Sequence, residues 1–305
     1  MEDGIETILV FGAAGDQGRS LVRQLREKNY RIRAGTRDPS KFPADEMPGA
    51  DPVAADLSDA DSLIAAAKGA DAIVMHLPFT FDRDYARLIG ANLRAAADAA
   101  GVRRIVFHTS CVVVDQDIGV DGHDARRDIE AELSKAKAPH VFVRSAVFMD
   151  NMLRVWAKPS IVNHGIFAYP CKPDLGISWV DQEDIAACMI AALEADDPPE
   201  TFLVGGPEVL TGDEVAERLT RAIGKPIRFE SLAPDEFAAR ISELVTGSRD
   251  YEPGSITDRM AAFYRWYNGQ PQSPLAVDMR PVWARLPVRP TPLLVWAKRQ
   301  DWTTC

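Results

Sequence analysis

Ile8-Leu9-Val10-Phe11-Gly12-Ala13-Ala14-Gly15-Asp16-Gln17-Gly18 stands near the start of the chain. The apolar run Ile8 to Phe11 reads as a strand. From Gly18 to Lys28, Leu21, Val22 and Leu25 fall on one face of a helix. Between the two lie glycines at GxxGxxG spacing. Glycine there permits a tight turn, close backbone approach to a pyrophosphate, and close helix–strand packing. The helix N-terminus then faces the phosphate charge. A glycine triplet alone is a weak signal, because turns use glycine for backbone reasons. Its position after the first strand of a βαβ unit is what points to dinucleotide binding. Gly12, Ala14, Gly15, Asp16, Gln17 and Gly18 are the expected contacts.

Beyond this loop the chain alternates short apolar runs with amphipathic stretches. Tyr30–Thr36, Pro52–Ala55, Ala72–His76, Arg104–Thr109 and His140–Arg144 read as strands. Ser58–Lys68, Tyr85–Ala100 and His123–Lys137 read as helices. Such alternation predicts an α/β fold with a doubly wound parallel sheet, its strands apolar throughout where helices cover both faces. Residues 1–152 are assigned to this dinucleotide-binding domain. Residues 176–206 are expected to complete its sheet, with Ile177–Val180 and Thr201–Val204 as strands around a helix at Asp184–Ala195. Residues 153–175 and 207–305 are assigned to a smaller α+β substrate domain. There Thr211-x-x-Glu214 is a capping box for a helix that runs to Ile223 and ends at Gly224. Pro226–Leu232 is a candidate strand. The six prolines between Gly269 and Pro292 predict an extended segment wrapped on the body. Thr291-Pro292 is then read as N-cap and N1 of a last short helix.

Composition narrows the function classes. A chain of 305 residues accommodates about two domains. Apolar residues make up 46% and charged residues 26%, as in ordinary globular proteins. No apolar run approaches the ~20 residues of a membrane-spanning helix. The opening MEDGIETILVFG lacks a basic segment and a small-residue cleavage site, so a cytoplasmic location is expected. The net charge of −10 repels polyanions, which makes nucleic acid a poor partner and leaves room only for a local basic pocket taking a small phosphate. Cys111, Cys171, Cys188 and Cys305 show neither CxxC nor zinc-type spacing. Free thiols and no metal are therefore expected, in a monomer or homodimer.

Further cofactor contacts follow from the strand ends. The second strand closes on Gly35-Thr36-Arg37-Asp38, where an NAD site usually carries Asp or Glu for the ribose hydroxyls. Thr36 and Arg37 occupy that zone, and Arg37 can bind a 2′-phosphate by charge-assisted bonds with Lys41 close by. This favours NADPH/NADP+ over the NAD couple; the alternative is a solvated Arg before a turn Asp. Asp56-Leu57 follows the third strand, a usual place for adenine contacts, although Ser58-x-x-Asp61 can equally serve as a helix cap. His76-Leu77-Pro78-Phe79 follows the fourth strand at the carboxyl edge, where open sheets bind ligands. Pro78 and Phe79 are read as lining the nicotinamide side, or as a structural loop.

GAAGDQG, TRD, ADLSD, VFHTS, RSAVFMDNM and WVDQEDIA, in this order and spacing over roughly residues 5–235, resemble the NmrA-like group of atypical short-chain dehydrogenases/reductases. That group includes quinone, dye and isoflavone-type reductases, and redox sensors that bind NADP(H) without turnover. The resemblance implies a Rossmann domain, a smaller C-terminal substrate domain and a cleft. It also implies that Phe148 sits near the nicotinamide and that Thr109, at the end of its strand, joins the cofactor contacts. A core aromatic is the other reading of Phe148.

The resemblance raises a catalytic expectation that the residues only partly meet. Short-chain reductases use a Ser and a YxxxK pair, in which Tyr donates a proton and Lys lowers its pKa. None of the six tyrosines has a Lys four residues on. Ser110 is instead followed by His123, and four residues later by Arg127. His titrates near neutrality and can act as a general acid; Arg127 can hold a ribose. The alternatives are a solvent-exposed His123 in Asp121-Gly122-His123-Asp124 and an Arg127 ion-paired with Asp124 or Glu130. The string Arg126-Arg127-Asp128-Ile129-Glu130 also matches isoflavone-type reductases, but Gly122 stands where those carry Lys. His108 is read as a buried, satisfied side chain and Cys111 as a small core residue. His140 begins a strand, and His164 lies in a loop. Trp156, Trp266 and Tyr267 either line an apolar pocket or pack the second domain. Together these features favour an NADPH-dependent reductase of a small apolar, aromatic or conjugated substrate (quinone, enone or carbonyl). A catalytically silent NADP(H)-binding regulator is the alternative.

Overall fold

The computed structural model describes residues 4–303. In chain order its strands and helices are β1 (Thr7–Phe11), α1 (Asp16–Glu27), β2 (Arg31–Thr36), β3 (Ala50–Ala54), α2 (Ala60–Ala67), β4 (Ala72–His76), α3 (Arg83–Ala100), β5 (Arg104–His108), α4 (Asp121–Leu133) and β6 (His140–Ser145). There follow β7 (Ile166–Tyr169), α5 (Gln182–Glu194), β8 (Thr201–Val204), α6 (Gly212–Ile223), β9 (Arg228–Ser231), α7 (Pro234–Thr246), α8 (Ile256–Gly269), α9 (Arg280–Trp283) and α10 (Leu293–Arg299). The chain divides into two compact units. One runs to Ser145 and takes in Gln182–Leu203 and Arg280–Val288; the other takes Ala146–Asp181, Val204–Met279 and the chain from Arg289.

The first unit holds a seven-stranded sheet in the order β3-β2-β1-β4-β5-β6-β8. Every pairing from β3 across to β6 is parallel. Strand order reverses between β1 and β4, the switch point at which open α/β sheets take their ligands. Ile8, Leu9, Val10, Ile73 and Ile105 are wholly buried, because helices cover the sheet and leave no polar face. Leu9, Leu63, Ile73, Leu93, Phe107 and Ile129 join the sheet to α2, α3 and α4 in one core. The one proline within the sheet, Pro52, sits in β3 at the edge, where its missing N–H breaks no ladder.

The second unit pairs β7 with β9 in parallel. Its core is aromatic: Tyr169 and Trp179 lie 4.9 Å apart between ring centroids, and Trp156 meets Phe237 at 5.2 Å. Tyr169 and Tyr264 join their hydroxyls at 2.8 Å. Trp156 and Tyr267 therefore pack this unit's interior cluster.

Several expectations change. Ile177–Val180 is not a strand; it makes only isolated bridges, Ile177 with Leu210 and Phe148 with Val180, within the second unit. The first boundary falls after Ser145, before the expected 152. The cap of α2 is Asp59, whose carboxylate accepts from the backbone N–H of Asp61 and Ser62, so Ser58 is not the cap. The cap of α10 is Pro292 and not Thr291. The helices α7 and α8 were not anticipated. On α8 only Ala261 and Tyr267 are buried, too narrow a stripe to show as helical periodicity. The capping box of α6 and its Gly224 end are as expected.

Gly90 lets α3 lie close against α4. A Cβ there would stand 2.8 Å from Glu132 Cβ and 3.3 Å from Ile129 Cα. Gly90→Val is expected to lower stability by about 1–3 kcal/mol, the usual cost of overpacking. Urea unfolding of the two proteins measures it.

Candidate functional site

The glycine loop is held by contacts that only glycine allows. Gly12 has φ +74°, and a Cβ on it would lie 2.2 Å from the His76 carbonyl oxygen. A Cβ on Gly18 would lie 2.0 Å from the Gly12 carbonyl oxygen. The ends of β1 and β4 and the first turn of α1 are thereby drawn together. Gly15 caps α1 from an extended conformation, and its N–H donates to the Gly12 carbonyl at 3.0 Å. Ala14, Gly15 and Asp16 are exposed at this helix start. The first-turn N–H groups of a 12-residue helix are there to receive an anion.

Gln17 reaches from that turn to the ends of neighbouring strands. Its Oε1 accepts from the Ser110 hydroxyl at 3.0 Å and lies 3.0 Å from His108 Nδ1. His108 Nδ1 is also 3.0 Å from His76 Nδ1. With a carbonyl oxygen facing it, His108 carries the proton on Nδ1 and His76 Nδ1 accepts. Ser110 adopts φ +62°, a left-handed backbone uncommon outside glycine. Burial pushes the His76 imidazole down to about 3, helped by the charge of Arg126. Burial, then His76 and Arg126, also push His108 well below the usual imidazole value. Both rings are neutral at ordinary pH.

At the other end of the loop, Thr36 closes β2 and its carbonyl accepts from Ala55 N–H at 2.8 Å. Arg37 is exposed and makes no hydrogen bond among the described residues. Lys41 pairs with Asp38 at 3.2 Å across an exposed turn. Asp56 accepts from Ser58 N–H and Oγ, at 2.9 and 2.6 Å. These bonds hold its carboxyl below the usual range, and Arg37 adds to them by charge. The Leu57 carbonyl accepts from Asn92 Nδ2 at 3.0 Å. Leu77 is buried, while Pro78 and Phe79 are exposed.

Three expected site residues are placed differently. Thr109 is wholly buried, and its hydroxyl donates to the Cys111 carbonyl at 2.6 Å. Its side chain ties the backbone and is not open to a cofactor. Arg127 turns outward, where it pairs with Asp124 at 2.9 Å and with Asp117. Its guanidinium is thus held by two carboxylates, the ion-paired alternative for this residue. His123 is neither exposed nor in a loop: it lies in the first turn of α4 and is 1% exposed. Burial pushes its imidazole down to about 4, against the effect of a backbone hydrogen bond with Val112. It is neutral at pH 7 and is no imidazolium acid. Ser110 turns its hydroxyl to Gln17 and not to His123. Phe148 lies in the second unit, half-buried, before a short turn at Met149–Leu153.

Arg126, which no sequence pattern marks as a site residue, is the neighbour of His123 on this helix. Positions 123 and 126 share the inward face of α4, one turn apart. Arg126 is wholly buried, and its Nη2 donates to the Leu77 carbonyl at 2.8 Å. The burial of Cys111, whose thiol is pushed up to about 12, agrees with the core reading. Cys305 lies outside the described residues.

Residues 5–291 match the NmrA-like family. The chain belongs to it. Among relatives, an NAD(P)H azoreductase of Xenophilus azovorans is 30% identical over 258 residues, covering 84% of this chain and 86% of that one. A (4-alkanoyl-5-oxo-2,5-dihydrofuran-3-yl)methyl phosphate reductase of Streptomyces griseus is 31% identical over 229 residues, covering 75% and 78%. Among solved structures, an NADPH-dependent quinone oxidoreductase of Escherichia coli in complex with NADPH superposes with a TM-score of 0.76 at 22% identity, over 95% of this chain and 98% of that one. That last likeness concerns the fold.

His76 and His123 have folded pKa values far below the ~6.5 of an unfolded imidazole. As pH falls below ~6.5 the unfolded chain takes up protons that the folded chain refuses, so stability is complete above that pH and declines beneath it. Each ring should remove about 2 kcal/mol between pH 6.5 and 5. His123→Gln should lessen the loss by one ring's share, as read from urea midpoints at the two pH values.

Proposed function

We propose that the protein is an NADPH-dependent reductase of a small conjugated or aromatic acceptor. The observation that carries this reading is the glycine loop at the start of α1 together with an uncommitted Arg37 at the end of β2. The fit to a dinucleotide is tested by the space itself. No side chain larger than hydrogen is tolerated at Gly12 or Gly18, so the turn stays tight beneath the helix N-terminus. Gly12, Ala14, Gly15 and Asp16 would hold the pyrophosphate, Thr36 and Arg37 the 2′-phosphate, and Asp56 and Leu57 the adenine side. The relatives named as NAD(P)H azoreductase and phosphate-bearing furanone reductase support the class.

A bound nicotinamide would supply the hydride. The chain's own residues position and exclude; they do not offer a strong acid. His76, His108 and His123 are neutral, and the Ser110 hydroxyl is given to Gln17. Ser110 and Gln17 fix the floor of the site. Protons are taken from water, which suits acceptors whose reduction is mostly positioning work, such as quinones and activated alkenes. An unactivated ketone needs the missing acid.

A regulator that binds NADP(H) without turnover is the second reading, favoured by the same lack of an acid. Purified protein mixed with NADPH and a panel of quinones, enones, aryl aldehydes and cationic dyes separates the two. Oxidation of NADPH by one acceptor class establishes the reductase; tight binding with no turnover across the panel favours the regulator.

Arg37→Ala should weaken NADPH binding by roughly 10- to 100-fold, the value of hydrogen bonds to a charged group, and leave NADH binding unchanged. Titration of nucleotide fluorescence reads both. Equal losses for the two nucleotides would remove Arg37 from the 2′-phosphate.

A further inference from the structure

A buried guanidinium with no counter-ion among the described residues lies beside the ends of β4 and β5. Arg126 is wholly buried, and one N–H of its Nη2 is satisfied by the Leu77 carbonyl. Its Nε and Nη1 are buried and bond to nothing among the described residues. A guanidinium has five N–H donors, so most of its capacity is unused. The rings of Phe79 and Phe107 lie 4.4 and 6.0 Å from its central carbon. Burial lowers Arg126 only to about 10, so it stays charged at neutral pH.

The acids of the same helix are engaged elsewhere. Asp124 accepts from Ile118 and Gly119 N–H and from Arg127. Asp128 is held by Arg83 and Arg87, and Glu130 by Arg144. Asp121 lies in the field of Arg83. The titratable neighbours that feel Arg126, namely His76, His108, and the Cys111 thiol, are neutral at pH 7. Keeping an unpaired charge out of water is costly, and aromatic faces with one carbonyl offset only part of it. An apolar side chain of similar length would be cheaper for the fold. In a chain of net charge −10, no carboxylate among the described residues has been set against this cation.

We propose that Arg126 receives an anionic group of the substrate, a carboxylate, sulfonate or phosphate monoester, when the Phe79 ring turns aside. Phe79 is 41% exposed, belongs to the irregular segment between β4 and α3, and stacks on Phe81, so its ring covers Arg126 from the surface side and not from the core. The place is the carboxyl edge of the sheet: the Leu77 carbonyl that Arg126 binds directly follows His76, which the glycine loop contacts. This deepens the reductase reading, on which it rests for the word substrate: the acceptor is a conjugated body carrying one acidic substituent. Guanidinium suits such a group because its planar donors match paired anionic oxygens.

Calorimetric titration of the full chain with benzoate, benzenesulfonate and phenyl phosphate, with benzyl alcohol as the neutral comparison, tests it without turnover. It is run with and without NADPH on the wild type, Arg126→Met and Arg126→Lys. At least one anion should bind tenfold or more tightly than benzyl alcohol, lose that preference in Arg126→Met, and recover part of it in Arg126→Lys. Arg126→Met should melt no lower than the wild type, since it removes an unpaired buried charge. Absence of an anion preference, its survival in Arg126→Met, or a large fall in that variant's melting temperature overturns the proposal. A second arm compares NADPH oxidation by benzoquinone and by carboxylated benzoquinone. Arg126→Met should raise KM for the carboxylated acceptor at least tenfold more than for its parent. A protein that binds the anions through Arg126 and reduces neither quinone loses the reductase reading and keeps the anion site.

Discussion

The close approach of three backbone segments at Gly12 is the constraint on which the rest of the site depends. The end of β1 passes so near the His76 carbonyl that no Cβ fits, and α1 rises so near Gly12 that Gly18 can carry none either. If either position bore a side chain, α1 would be pushed off the sheet and its N-terminus would no longer face the carboxyl edge. Glycine accepts this because its backbone tolerates φ +74° and its missing side chain leaves the space. From that contact Gln17 is aimed at Ser110 and His108, and His108 at His76.

The polar groups gathered there obey the low polarity of their surroundings. Burial removes the stabilisation that water gives to a charged imidazole, so the three histidines stay neutral. Arg126 strengthens the effect on His76 and His108, since a second cation beside it would be repelled. Among the described residues, the outcome is a group of neutral imidazoles with the buried cation of Arg126 near two of them. That electrostatic character, more than any single residue, separates this chain from a reductase built on a Tyr–Lys pair.

Helix phase explains the main misplacement. Positions 123 and 127 are four apart, 123 and 126 three apart, and both spacings bring side chains to neighbouring positions on a helix. Sequence spacing could not choose between Arg126 and Arg127. The choice is made by Asp117 and Asp124, which draw Arg127 outward, and by Phe79, Phe107 and the Leu77 carbonyl, which enclose Arg126. Asp124 lies on α4 itself, three residues from Arg127, but Asp117 lies in the loop before α4, Leu77 and Phe79 lie in the segment after β4, and Phe107 lies on β5, so the enclosure of Arg126 is not visible from the helix alone.

The alternation of apolar runs with amphipathic stretches, the GxxGxxG turn and Arg37 at the end of β2 were legible in the chain, because each expresses a local rule: period, backbone freedom or residue type at a fixed offset. The parallel sheet and the helix capped by Thr211 and Glu214 follow from the same rules. The helices α7 and α8 were hidden because few of their side chains face inward. The neutrality of His123, the burial of Thr109, the His76–His108 contact and the solitary charge of Arg126 belong to the folded chain. Each depends on groups tens of residues away that set the polarity and the hydrogen-bond partners, and no local pattern encodes how much water a side chain will lose.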